Sequence, residues 1–201
     1  MGLARTELVV LAIDLGSSSI RTALFDQAGA ILVRTMAQRE YAIRYTPDGG
    51  AELSPAILRR AADGCLAETL RGRRDSPRLR TIPIAAIGGS SFWHGLLGLD
   101  RAGRPVTPIF TWADYRSGLD ARLLRAELSE AEIHGRTGCM LRASYWPAKL
   151  RWLRRTQPRL FERVVRWASP AQWIFCELFG AATSSHSMAS GTGLYNLEEG
   201  A

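Results

Sequence analysis

The stretch LAIDLGSSSIRTALFD, residues 11–26, puts a carboxylate, a glycine and three consecutive hydroxyls between two apolar runs. Asp14 falls at the C-terminal end of a first strand, where side chains emerge from a sheet. Gly16 and Ser17, Ser18 and Ser19 allow the backbone to bend so that successive N–H groups converge on anionic oxygens, with hydroxyls adding donors. A carboxylate beside such a turn suits magnesium held through water, and magnesium in turn neutralises a polyphosphate. The same residues also make ordinary turns. The usual phosphate loops are absent: the chain has no G-x-x-x-x-G-K-[ST] and no G-x-G-x-x-G, and those loops open a helix whereas this turn leads back into a strand.

The elements around the turn read as strands first and helices later. ELVVLAID, SIRTALFD and AILVRTMA predict an antiparallel meander with tight turns. Ser54-Pro55 signals a helix start, and Ile57, Leu58, Ala61, Ala62, Cys65, Leu66 and Leu70 keep its apolar stripe. RTIPIAAIGGSS predicts a buried strand and GLLGLD a short one. Further helices are expected over Tyr115 to Leu128, after the Ser129/Glu132 capping box, from Pro147 with Leu150 and Leu153 inward, and from Ser169-Pro170 with Trp173, Ile174 and Phe179 as its apolar face and Gly180 as its end. The tail SSHSMASGTGLYNLEEGA reads as loop or short strand. The whole predicts one α/β domain.

Composition narrows the function classes. The chain has 201 residues, is 46% hydrophobic and holds six tryptophans, which suits a packed globule. Cys65, Cys139 and Cys176 lie far apart and suggest neither a disulfide framework nor a zinc site, so a cytoplasmic location is expected. No apolar run reaches the ~20 residues that span a bilayer, and the run Leu8 to Ile13 is too short for a signal-peptide core. The net charge is +7, yet Lys149 is the sole lysine among 26 basic residues. The patches RGRRDSPRLR (71–80) and LRWLRRTQPRLFERVVR (150–166) have the charge of a nucleic-acid surface. The second has arginines and apolar residues at helical spacing, as on the solvated face of an amphipathic helix.

The strand–Asp-Leu-Gly-Ser-Ser–strand pattern resembles the first phosphate motif of the actin, heat-shock chaperone and sugar kinase superfamily. GAELSP (50–55), GGSSFWHGLLGLDRAGRPVTPIFTWADYRS (88–117), WPAKLRWL (146–153) and SMASGTGLYNL (187–197) then follow in the order seen in FGGY-type carbohydrate kinases, so the resemblance covers essentially the whole chain. It implies a ribonuclease H-like, actin-like ATPase fold, with an antiparallel meander opening a mixed sheet and helices on its faces. It also implies an ATP- and Mg2+-dependent transfer of the γ-phosphate to a sugar hydroxyl. TWADYRS is most similar to gluconate kinases, while Trp93-His94-Gly95 also resembles xylulose kinases; gluconate or a related linear sugar is the expected acceptor.

Carried over by position, the resemblance assigns Asp14 to the magnesium–ATP phosphates, through water, with Gly16, Ser17, Ser18 and Ser19 shaping the turn and Arg21 nearby. Trp93 and His94 match the strand-end pair facing the sugar. Trp112, Asp114 and Arg116 match the W-x-D-x-R element of the sugar pocket, and Ser187, Ser190 and Thr192 lie in the loop closing beside it. Arg116 is suited to pair with a substrate carboxylate. Two positions depart from the family: Ser17 stands where threonine is usual, and Ser185 where an aspartate is frequent. Family members are also much longer, and carry their general-base aspartate and most of the ATP-binding lobe beyond the last motif seen here. The chain therefore reads as an N-terminal kinase lobe, incomplete at its C-terminus, inactive alone and active as part of a full-length carbohydrate kinase.

The expected partner is a small-molecule sugar or sugar acid. No membrane is expected, nucleic acid is not favoured, and a homodimer is left open. One competing reading is a ribonuclease H-type metal-dependent nucleic-acid-binding domain, with Glu52, Glu68 and Asp114 as further metal carboxylates. The other is a non-catalytic kinase remnant.

Overall fold

The computed structural model describes residues 7–180 and 183–200. In chain order the strands are β1 (Val9–Leu15), β2 (Ser19–Phe25), β3 (Ala37–Glu40), β4 (Arg44–Tyr45), β5 (Ala51–Leu53), β6 (Ile84–Ser91), β7 (Leu97–Leu99), β8 (Ile109–Phe110) and β9 (Arg166–Ala168). The helices are α1 (Pro55–Asp75), α2 (Gly118–Glu127), α3 (Glu130–Thr137), α4 (Trp146–Thr156), α5 (Pro158–Arg163), α6 (Pro170–Phe179) and α7 (His186–Ser190). The α/β expectation holds. The described residues gather into two compact units, one within 1–42 and 56–92 and one within 43–55 and 93–201.

The first unit is built on a four-stranded mixed sheet in the order β3-β2-β1-β6. β1 pairs antiparallel with β2 and parallel with β6. The meander is therefore present, but its third strand is AQRE rather than AILVRTMA. Within that segment Val33–Thr35 forms a 3-10 turn, fixed where the Thr35 hydroxyl donates to Leu32 O at 2.7 Å and accepts from Leu24 N at 3.0 Å. The pleat alternates along β1: Val9, Leu11, Ile13 and Leu15 are buried, and Asp14 stands on the opposite face.

α1 spans the connection between the meander and β6. Leu58, Ala62, Cys65 and Thr69 form its buried face, and the Thr69 and Thr22 hydroxyls meet at 2.6 Å. Ile57 and Leu70, which the stripe places on that face, are exposed. The strand expected to be buried from RTIPIAAIGGSS is the edge strand β6, exposed over most of its length because it pairs with β1 on one side only.

In the second unit Leu96, Phe110, Trp146, Trp152 and Leu153 form a core against which Leu150, Phe161 and Trp167 pack. Phe110 meets Trp152 edge to face at 5.7 Å, a geometry that suits the ring quadrupoles. Ser129 and Ser169 cap α3 and α6 through Glu132 N and Gln172 N, and Gly138 and Gly180 end those helices in the left-handed region. Phe179 is exposed rather than part of the buried apolar face, and its ring stacks on Phe175 at the end of the helix. The tail expected as loop or strand forms the short helix α7, capped where the Ser185 hydroxyl accepts from Met188 N at 3.2 Å. An aspartate there would accept the same bond, so the serine keeps the local role.

Gly72 sits inside α1, where alanine is ordinarily favoured by about 0.5–1 kcal/mol. Here a Cβ would collide with Arg34 O and lie 3.3 Å from Thr35 Cα. Gly72→Ala is accordingly expected to lower stability in urea unfolding; a more stable variant would show that α1 does not press on that turn.

Candidate functional site

At the turn between β1 and β2, Gly16 N donates to Ser19 O at 2.9 Å, closing a hairpin over Ser17 and Ser18. Gly16 is required by space: its φ is not positive, but a Cβ there would stand 2.9 Å from Ser19 O. The Tyr41 hydroxyl donates to Gly16 O at 2.5 Å and Tyr41 N to Ser18 O at 2.9 Å, so the strand-end residue Tyr41 clamps the turn. Burial first, then the Asp14 charge, push its phenol well above the usual value, so it remains a donor. Asp14 accepts from Ser90 Oγ at 2.6 Å and pairs with Arg21 Nη1 at 3.2 Å, with both charged side chains about half exposed. One of the N–H groups expected to converge on an anion, that of Gly16, is thus used by the turn itself.

The second unit brings together the pair Trp93-His94 and the loop of Ser187, Ser190 and Thr192. His94 Nδ1 lies 2.7 Å from Gly191 O, and a Cβ on Gly191 would lie 3.2 Å from Trp93 Cδ2, so the indole packs on that glycine. Because a carbonyl only accepts, Nδ1 carries the proton in this bond and Nε2 of the neutral ring is an acceptor. Burial, joined by the Lys149 charge and opposed by the Gly191 bond, holds His94 below the usual histidine pKa. Its ring packs on Tyr145 at 4.4 Å between centroids. His94 has φ 62°, the sole non-glycine residue with positive φ among the described residues, a conformation costing about 1–3 kcal/mol that surrounding contacts must offset.

The three loop side chains differ. Ser190 Oγ donates to Ser187 O at 3.0 Å and Thr192 Oγ1 to Ala189 O at 2.7 Å, so these hydroxyls brace their own turn, while Ser187 is exposed. Trp93 and Trp112 are 48% and 45% exposed, which rules out a core role for either.

Asp114 and Arg116 are buried partners. Asp114 is 1% exposed and accepts from Ala51 N at 3.1 Å, Arg116 N at 3.2 Å, Arg116 Nε at 3.1 Å and Arg116 Nη2 at 2.5 Å. Arg116 Nη2 also donates to Glu52 at 2.7 Å, and the guanidinium lies 4.6 Å from the Trp152 ring centroid. Burial alone would lower the Arg116 pKa, but the bonds to Asp114 and Glu52 outweigh it and raise it. Nitrogens that the sequence offers to a substrate carboxylate thus serve protein carboxylates. Gly50 makes room, since a Cβ there would come within 2.9 Å of Arg116 Cζ.

Sequence reasoning missed Lys149, Ser90 and Tyr41, and weighed Glu52 only as a metal carboxylate. Lys149 left a signal: its spacing from Trp146 and Leu153 puts it on the inner face of α4. Ser90 and Tyr41 left none, because sheet pairing alone brings them to the turn.

Other carboxylates fit a structural reading. Glu68 pairs with Arg39, and Glu52 pairs with Arg44 and Arg116. No group of three or more His, Cys, Asp and Glu side chains among the described residues is arranged to hold a metal ion. Arginines of the two basic patches are partly spoken for, Arg78 by Glu7, Arg151 by Glu127 and Arg155 by Asp120. No helix among the described residues is long and apolar enough to cross a membrane.

The N-terminal domain model of the FGGY family of carbohydrate kinases matches residues 9–201. The chain belongs to that family. It is 30% identical over 193 residues to a gluconokinase of Bacillus subtilis, covering 94% of this chain and 35% of that protein. To a glycerol kinase of Stenotrophomonas maltophilia it is 30% identical over 199 residues, covering 96% and 39%. The chain thus spans little more than a third of the length of these relatives. Its fold matches crystal structures of a gluconate kinase (TM-score 0.84, 24% identity, covering 95% of this chain and 37% of that one) and a ligand-bound xylulose kinase (0.86, 24%, 96% and 38%), both from Lactobacillus acidophilus. As an FGGY N-terminal domain the chain carries the actin-like ATPase fold of these neighbours.

Removing one partner of a buried ion pair costs about 3–5 kcal/mol, because the other charge is left uncompensated. Arg116→Met is therefore expected to destabilise the domain on that scale in denaturant unfolding. The double change Arg116→Met with Asp114→Asn should cost less than the sum of the two single changes, and full additivity would show the pair to be uncoupled.

Proposed function

We propose that this domain is the sugar-binding N-terminal lobe of an ATP-dependent carbohydrate kinase, acting on gluconate or a related linear sugar. The observation that carries the reading is the seating of Trp93 and His94 against Gly191. It makes one surface from two segments far apart in sequence: an exposed indole for the C–H face of a polyol and a neutral imidazole whose Nε2 accepts from a hydroxyl. Trp112 offers a second exposed aromatic face beyond β8. Asp114, tied by Arg116 and Ala51 N, is suited to hold position.

The turn of Asp14 and Gly16 fits a magnesium–polyphosphate by its donor set and by the half-exposed carboxylate that it carries. Asp14 would hold the ion through water, while Arg21 and the Ser17 and Ser18 hydroxyls would orient phosphate oxygens. Bound there, the nucleotide supplies the phosphoryl group and the ion its charge neutralisation; positioning is the chain's own part. The preference for gluconate is supported by the TWADYRS segment and by the identity to the Bacillus gluconokinase. It draws no support from Arg116, whose guanidinium is committed within the domain.

Thermal unfolding against gluconate, xylulose and glycerol tests the reading. Ligand at 100 times its dissociation constant adds about 2.7 kcal/mol, so gluconate is expected to raise Tm and Trp93→Ala to abolish the shift. A rise with xylulose or glycerol alone would reassign the acceptor, and no rise with any of them would overturn sugar binding by this lobe. Separately, Asp14→Ala is expected to abolish sugar-dependent ADP release by the native protein while leaving the sugar-induced Tm rise intact. Normal turnover in that variant would remove Asp14 from the phosphate site.

A further inference from the structure

Lys149 is 1% exposed and on the inner face of α4. Its Nζ donates to His94 O at 2.8 Å and to Thr111 O at 2.7 Å. One residue earlier in the first segment stands Trp93, and one residue later in the second stands Trp112. Trp146, on the same helix, adds a bond from Nε1 to Gly95 O at 3.2 Å. His94 meanwhile holds its left-handed conformation, which needs such contacts to persist.

We infer that Lys149 is a positioning residue for the sugar face: from inside the unit its side chain ties the His94 turn to the Thr111 strand end, and so fixes Trp93, His94 and Trp112 as one surface. The inference rests on the sugar-lobe reading for its purpose, but the tie itself is a matter of geometry. An arginine, abundant everywhere else in this chain, would not serve. Its guanidinium is larger, planar and permanently charged, whereas the compact ammonium sits between the two carbonyls as a point donor and can give up its proton near neutrality.

The charged and titratable groups facing Lys149 are Asp114, beyond the end of β8, and His94, beyond the end of β6. Burial pushes the Lys149 pKa down to about 7 against the pull of Asp114. Protonation then changes the strength of the tie near neutrality. The ammonium bonds are charge-assisted and strong, while the amine keeps only neutral N–H donors. Sugar affinity should therefore fall as pH rises through about 7. Stability moves the other way. Between the folded value of about 7 and the ordinary 10.5 the unfolded chain binds more protons, so this group's contribution rises with pH across that window.

Because Lys149 is the sole lysine, a chain labelled with 13Cε-lysine gives one lysine signal that needs no assignment. Its titration midpoint is expected near 7, and a midpoint at the ordinary lysine value of about 10.4 would overturn the buried placement. The backbone amides of His94, Gly95 and Trp112 should shift with the same midpoint, and amides indifferent to it would overturn the positioning role. Lys149→Met, which keeps the stem and removes the donors, is expected to weaken binding of the responding sugar at pH 6 by at least about tenfold, 1.4 kcal/mol, and to flatten the pH dependence of affinity. Equal affinity in variant and parent would also overturn it. If the parent chain binds no sugar, the sugar reading fails by itself, while the lysine titration and the amide shifts still decide this inference.

Discussion

A carboxylate 1% exposed persists only if its charge is met from several sides, and Asp114 sets that demand in the second unit. Four donors answer it: Ala51 N from β5, and the backbone N, Nε and Nη2 of Arg116. Arg116 must then be buried too. That brings in Glu52 as a second acceptor, Gly50 as the residue small enough to lie beside the guanidinium, and Trp152 as the ring it packs over. The short strands β5 and β8 and the helix α4 are held in one arrangement by this chain of obligations as much as by apolar packing. Replacing such pairs with apolar residues often stabilises a protein. Their presence here is therefore better explained by the geometry they impose than by net stability.

The same logic applies to Lys149, whose cation is matched by two carbonyl oxygens instead of a carboxylate contact. Carbonyls at strand ends have no ladder partner and would otherwise need water. Giving them to a lysine removes that need and at the same time fixes where each segment turns. The left-handed His94 follows from this: its backbone is strained, and its carbonyl and ring are each held by a separate bond.

The Asp14 turn in the first unit is built on the opposite plan. Its carboxylate and its guanidinium partner are about half exposed, so the pair is weak in itself and free to exchange for other ions. What is rigid there is the backbone, closed from Gly16 to Ser19 and clamped by Tyr41. A fixed turn carrying loosely held charges suits an incoming ion and its ligands. A buried charge network suits the shaping of a surface that must not move.

Local chemistry made much of this legible from sequence. The strand character of β1, the Ser54-Pro55 start, the Ser129 and Ser169 caps and the glycine stop at 180 are decided within a few residues, and the structure has each of them. The order of short motifs was enough to identify the family. Tertiary contact alone decided the rest. AILVRTMA has strand propensity, yet its middle turns because Thr35 finds a partner at Leu24. RTIPIAAIGGSS reads as buried, yet it lies at a sheet edge, which no local pattern records. Arg116 looks like a free cation for a substrate until the fold brings Glu52 to it, 64 residues away in sequence. The sequence by itself determined which side chains could do chemistry, because residue type and spacing are local facts. Only the tertiary structure decided which of those charges are spent on each other and which remain for a ligand, because a charge's partner is set by distance in space.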